Sequence, residues 1–329
     1  METLTPKHLK QEARQTLASA SVNPRHLILL YTGVTVGLGL LVNGINILLN
    51  QQIGSTGGLG GLGMRSMLQT IQTLMSYFVT LFTPFWGAGL LFCFLGLVRQ
   101  EEVVPRDMLS GFRRFGRILS FSLLTSLAAL MLFLPVVYIA STIYMLTPLS
   151  APFSNALDAL IESGTLTVSG GLVDLSSIPP EVMLQGMLPI TLILMAVAVP
   201  VFLWLSYSLS MGVYLIMSDQ VRGGFQALFT SIRMTRGHKW KLFKLDLSYW
   251  WFYVLEGLAT VVLYLDLIFT VMDIEAPFNP TVFFFLLLVL YSVLELALHL
   301  WKKAERDTVF VLAYEQIADD SRPGTELSA

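Results

Sequence analysis

The sequence predicts an all-α polytopic membrane helix bundle. Three observations predict it: the composition, six long apolar runs, and the side on which the cations fall. Of 329 residues, 54% are hydrophobic and 13% charged, against about 45–50% and about 25% in soluble domains. That depletion excludes an ordinary soluble enzyme and a disordered tail. A net charge of −2 leaves no basic field for nucleic acid, so no nucleic-acid partner is expected.

A bilayer core about 30 Å thick takes roughly 20 residues of helix. Runs at about 26–49, 70–98, 118–146, 188–218, 245–271 and 281–301 meet that length. They are too long and too evenly apolar for barrel strands, which run about ten residues with strict alternation. Pro84, Pro135 and Pro200 fall inside the second, third and fourth runs and predict kinks there. Residues 26–301 therefore read as a single six-span membrane domain. Residues 1–25 precede it as an amphipathic N-terminal helix, and 302–329 follow as a C-terminal segment. The charged stretch before the first run is unlike a cleavable signal peptide.

Nineteen of the twenty Lys and Arg residues fall into four segments. Lys7, Lys10, Arg14 and Arg25 precede the first run. Arg99, Arg106, Arg113, Arg114 and Arg117 lie between the second and third. Arg222, Arg233, Arg236, Lys239, Lys241 and Lys244 lie between the fourth and fifth. Lys302, Lys303, Arg306 and Arg322 follow the sixth. The 147–187 connection has neither Lys nor Arg and carries Asp158, Glu162, Asp174 and Glu181. Because cytoplasmic flanks collect cations, the expected location is the cell membrane, multi-pass, with both termini cytoplasmic.

Each cation-rich segment also has helical apolar spacing: Leu9, Ala13 and Leu17; Met108, Leu109, Phe112 and Phe115; Phe225, Leu228, Phe229 and Ile232; Phe310, Ala313, Tyr314 and Ile317. Such helices suit the headgroup layer, with apolar faces in the acyl boundary and cations against anionic lipid. Arg113, Arg114, Arg117, Arg233, Arg236 and Lys239 are the candidate lipid contacts. These helices either anchor the bundle or hold a lipid headgroup or protein partner. Aligning Gly111 with Gly237 pairs Leu119 with Leu245 and Ser122 with Ser248, which suggests a repeated unit of amphipathic helix plus spans.

Leu9-Lys10 with Ala13-Arg14, Gly111-Phe112 with Arg114-Phe115-Gly116, and Met234, Gly237, Lys239-Trp240, Leu242-Phe243 ahead of Leu247-Ser248 and Trp250 form three ordered motifs. In these the chain resembles a bacterial family, common in Firmicutes, catalogued as domain of unknown function 975. The resemblance implies a multi-span membrane protein and supplies no reaction and no catalytic residue.

Few residues promise chemistry. One cysteine, Cys93, excludes an internal disulfide, and His8, His26, His238 and His299 are scattered, so no metal or cofactor is expected. Gly58-Leu59-Gly60-Gly61-Leu62-Gly63 matches G-x-G-x-x-G in letters, but outside a βαβ unit it reads as a flexible linker. No Walker A sequence and no Gly-x-Ser-x-Gly elbow is present.

Glu256 stands out. Counted from Leu245 at 1.5 Å per residue, it lies about 17 Å into its run, where a carboxylate costs at least about 2.5 kcal/mol. With no cation at matching depth, it reads as a neutral hydrogen-bonded acid or as a proton or cation relay. Glu295 and His299, four apart on the last run, are expected to pair as a polar cluster. The functional expectation is a non-enzymatic scaffold or accessory protein that organises lipid or a partner at the inner leaflet. The alternative is a small-solute or proton-coupled transporter using Glu256.

Overall fold

The computed structural model describes residues 5–55, 59–163, 168–169, 172–173, 180–265, 269 and 279–320. They are almost entirely helical. In chain order come α1 (Pro6–Ala18), α2 (Pro24–Ser55), α3 (Leu59–Val98), a 3₁₀ turn (Pro105–Leu109), α4 (Ser110–Arg113) and α5 (Phe115–Leu146). Then follow α6 (Ala151–Glu162), the two-residue antiparallel strands β1 (Val168–Ser169) and β2 (Leu172–Val173), α7 (Pro180–Leu209), α8 (Gly212–Met217) and α9 (Gly224–Met234). The last are α10 (Lys239–Leu247), α11 (Trp250–Leu263) and α12 (Pro280–Leu298), which a π turn (His299–Lys303) joins to α13 (Ala304–Asp320).

Five stretches are long and apolar enough to cross a membrane: Pro24–Ile47, Ser66–Val98, Phe115–Leu146, Gly186–Met217 and Val282–Asp320. Their burial runs opposite to that of a soluble protein. The most apolar windows of Phe115–Leu146 and Gly186–Met217, with mean hydropathy 2.3 and 2.5, are only 11% and 6% buried. Water would not tolerate that much exposed hydrocarbon, so the surrounding medium is apolar. Many hydroxyls on these helices bond within their own helix. On α3, Thr73, Ser76, Thr80 and Thr83 each donate to the carbonyl four residues back, at 2.8–3.0 Å.

The expected fifth span does not form one continuous helix among the described residues. Ser248 Oγ turns back on the Leu245 carbonyl at 2.5 Å, and the Tyr249 N–H reaches the Asp246 carbonyl at 2.9 Å. This turn separates α10 from α11, whose 14 residues reach about 21 Å, short of a bilayer core. Residues 266–268 and 270–271 of that run lie outside the described set. A second correction concerns the glycine-rich stretch. α3 already begins at Leu59, so Leu59–Gly63 are the first turns of a helix and not a linker, while Gly58 lies outside the described residues. The helix that carries the second span simply extends through them.

The chain divides into two compact units, Met1–Ser122 with Ser210–Ala329, and Leu123–Leu209. In the smaller, the Phe153 ring of α6 sits over Gly186 of α7, where an added Cβ would lie 2.5 Å from it. The larger unit has its core at the cation-rich ends of its helices. Cys93, Phe94 and Leu95 of α3, Leu215, Ile216 and Met217 of α8, and Tyr314 and Ile317 of α13 are all buried. Gly89 and Gly111 let α3 and α4 cross at backbone contact. A Cβ on Gly89 would stand 1.7 Å from the Met108 carbonyl oxygen, and one on Gly111 2.0 Å from that of Phe85. The motif glycine Gly237 serves another purpose, since at φ +92° it turns the chain in the left-handed region between α9 and α10. Gly111 and Gly237 thus do unlike jobs, which removes the structural reason for aligning them as a repeat.

Candidate anion-binding groove and inner polar cluster

The start of α5 is packed by two glycines. Phe121 lies against Gly212, and a Cβ on Gly224 would be 2.3 Å from the Phe121 backbone nitrogen and 2.4 Å from Ser120 Oγ. This close approach brings Arg222-Gly223 beside the Arg113–Ser120 stretch. Between them lies a groove of about 390 Å³ lined by Arg113, Arg114, Gly116, Arg117, Ser120, Arg222 and Gly223. One carboxylate stands at its edge. Asp219, held at φ 55° just after α8, accepts from both Arg114 and Arg117, the latter at 2.7 Å. The Arg114 guanidinium bonded to it, helped by Arg117, holds the Asp219 carboxyl below the usual carboxylate range against the effect of burial. Arg113 and Arg222 have no carboxylate within ion-pair reach among the described residues. The groove therefore carries four guanidiniums against one acid.

Three of the six expected lipid contacts, Arg113, Arg114 and Arg117, meet in this groove. Arg233 and Arg236 are exposed on and after α9, and Lys239 opens α10; none of these three lines it. Burial, then the nearby Arg236, lowers the Lys239 pKa. Arg222 is the member that sequence reading missed. Its signal is Gly224, two residues on, which admits the backbone of α5.

The N-terminal cations do something else. Lys10 Nζ donates to the Ser248 carbonyl at 2.9 Å and lies 4.0 Å from the centre of the Tyr249 ring. Arg14 reaches Glu305 at 3.3 Å, and Glu305 also holds Lys302 at 2.8 Å. Leu9 and Ala13 are buried beneath. The first and last of the three motifs thus meet in space, and α1 is pinned to the protein through the cations that suited a headgroup contact.

On α9 the two aromatic residues of the expected stripe are left outside the protein core. Gly224, Ala227, Ser231 and Met234 face inward, while Phe225 and Phe229 are exposed. Small residues let α9 lie close to its neighbours, and the aromatic rings remain for an apolar medium.

The inner polar cluster corrects one expectation and supplies the polar partner of another. His299, buried, does not pair with Glu295. Its Nδ1 shares a hydrogen bond with Thr32 Oγ1 at 3.1 Å, and its Nε2 stands 3.7 Å from Glu256 Oε1. The expected spacing of four assumes that both residues share one face; the His299 ring instead turns into the bundle toward α2 and α11. Glu295 interacts with Tyr291, one turn earlier. Glu256, expected to have no cation at its depth and to bond a polar group, faces the His299 ring and is only half-buried. Neither Glu256 nor His299 lines the groove. Among the described residues, no group of three or more His, Cys, Asp or Glu side chains is placed to hold a metal ion.

A family model described as "Protein of unknown function (DUF975)" matches residues 1–303. No curated protein and no solved structure matches the chain.

Proposed function

We propose that this chain, which belongs to the DUF975 family of proteins of unknown function, is a non-catalytic membrane protein that holds anionic lipid headgroups at the inner leaflet. The groove carries this reading: four guanidiniums, one acid, and two arginines without a carboxylate partner among the described residues. Arginine forks match phosphate oxygens with paired, charge-assisted hydrogen bonds. Gly116 and Gly223 leave room for a phosphate to approach the backbone. The exposed rings of Phe115 and, on α9, Phe225 and Phe229 supply apolar surface for acyl chains beside the cations. The cation distribution supports a six-crossing topology with both termini inside, α11 lying in the fifth crossing.

The test removes the two arginines that Asp219 does not engage. Basic residues contribute about 1 kcal/mol each near an anionic surface, so Arg113→Gln with Arg222→Gln lowers anionic-lipid affinity by about thirtyfold. Native mass spectrometry from nanodiscs of mixed phosphatidylglycerol and phosphatidylcholine reads it, with melting as the control for folding. Unchanged lipid retention in a folded double variant defeats the proposal.

One observation favours a second reading, proton-coupled transport: the chain from Thr32 through His299 to Glu256. An amide cannot cycle a proton, so under that reading Glu256→Gln abolishes proton flux into liposomes while the protein stays folded. Under the lipid-holding reading the same variant retains lipid normally.

A further inference from the structure

Apart from the groove, a separate cavity of about 190 Å³ lies beside the π turn, lined by Tyr31, Gly87, Leu90, Leu91, Phe94, Tyr214, Lys303, Arg306, Asp307 and Val311. We propose that this cavity is a binding site for a singly charged phosphate group, carried by a lipid headgroup or by a free solute.

The first observation is Lys303. Its side chain is only 12% exposed, yet its ammonium has no hydrogen bond among the described residues. Asp307 is 3.8 Å away, beyond hydrogen-bond reach, and the centre of the Tyr31 ring 5.1 Å. The three donors of the ammonium are thus open to an acceptor in the cavity that Lys303 lines.

The second observation is the charge of the lining. Arg306 donates through Nε and Nη2 to one oxygen of Asp307, at 3.2 and 3.1 Å, and its guanidinium lies 5.3 and 5.7 Å from the centres of the Phe252 and Tyr253 rings. Two further acids act on the lining from outside the wall, Glu256, which faces His299, on Arg306 and Glu295 on Tyr31. Two cations against one carboxylate leave a single positive charge, which matches a phosphodiester or dihydrogen phosphate better than a dianion.

The third observation is geometric. Donors come from three separate segments: Tyr31 on α2, Tyr214 on α8, and Lys303 and Arg306 around the start of α13. A tetrahedral oxyanion presents acceptors in as many directions; a planar carboxylate does not. The volume is below the roughly 300 Å³ of ordinary small-molecule pockets, so a phosphate with its ester carbons fits and a nucleotide does not. Lys303 is the last residue of the π turn, and π turns inside helices are frequent at functional sites.

The experiment is calorimetric titration of detergent-purified, phosphate-free protein with three probes: inorganic phosphate, glycerophosphoglycerol and dioctanoyl phosphatidylglycerol. Wild type is compared with Lys303→Met and with the Arg113→Gln, Arg222→Gln double variant. The expected result is a binding component that Lys303→Met weakens at least tenfold and the double variant leaves intact. Should that component take either water-soluble probe, the site serves free solute as well as lipid; should it take only the lipid, it serves a headgroup. In both cases the proposal stands, whatever becomes of the groove. Binding unaffected by Lys303→Met, or no component surviving in the double variant, overturns it. If Lys303→Met is not recovered folded, Tyr31→Phe removes one donor and weakens the same component at least threefold; unchanged affinity in that variant overturns the proposal.

Discussion

Gly111 stands at backbone contact and Gly116 does not, and that contrast is measurable. A Cβ on Gly111 meets the Phe85 carbonyl, which cannot yield as the end of a flexible side chain would. Gly111→Ala is expected to cost about 1–3 kcal/mol or more, read as a lowered melting temperature in detergent. Gly116, five residues on, has nothing within 4 Å, so Gly116→Ala is expected to be neutral or to stabilise α5 by up to about 1 kcal/mol through helix propensity. Asp219 gives a pH signature. Its carboxyl is held below its ordinary value by Arg114 and Arg117. Its contribution is therefore fully present above the unfolded-state value near 4 and is lost as pH falls through the depressed one. Wild type is expected to lose melting temperature more steeply than Asp219→Asn between about pH 4 and pH 2. The difference should shrink in high salt, because the pair is partly exposed.

At the scale of elements, the proposed topology makes a direct prediction. Asp158 on α6 and Glu102, between α3 and the 3₁₀ turn, are both exposed in the structure. In a Cys93→Ala background, Asp158→Cys should react with an impermeant thiol reagent on intact cells, and Glu102→Cys only after lysis. The reverse pattern would invert the orientation. Elements also show where sequence reading stops. Periodicity and hydropathy found every long helix, because those depend on neighbours three and four positions away. The break at Ser248 was not legible, since it is made by a serine hydroxyl and a backbone turn inside an apolar run. Nor was the partner of His299 legible. Glu295 is the local choice, but Thr32, 267 positions away, and Glu256 on another helix are brought to the ring by packing.

For the whole molecule, two facts about cations look alike in sequence and differ in space. Arg113, Arg114 and Arg117 converge on a groove, whereas Lys10 and Arg14 bind protein groups. Charge counting treats both sets as headgroup contacts, because it registers which side of the membrane a cation occupies and not what faces it. The two sets should separate under mutation. Lys10→Met leaves the Ser248 carbonyl without its donor and is expected to lower stability by about 1–3 kcal/mol, with anionic-lipid retention unchanged. Arg113→Gln with Arg222→Gln is expected to do the opposite. Melting and lipid mass spectrometry on the two variants check both halves of that contrast.

The docking of α1 also has a timetable. Lys10 meets Ser248 across 238 positions, and Arg14 meets Glu305 across 291. A ribosome adding about 5–20 residues per second needs roughly 15–60 s to span the longer gap. During that interval α1 is synthesised but has no dock, and its Leu9–Ala13 stripe must rest on the bilayer surface or on a chaperone. Assembly therefore closes from its ends: the first helix made is among the last to be seated, and a nascent chain stalled before Ser248 leaves it open to protease.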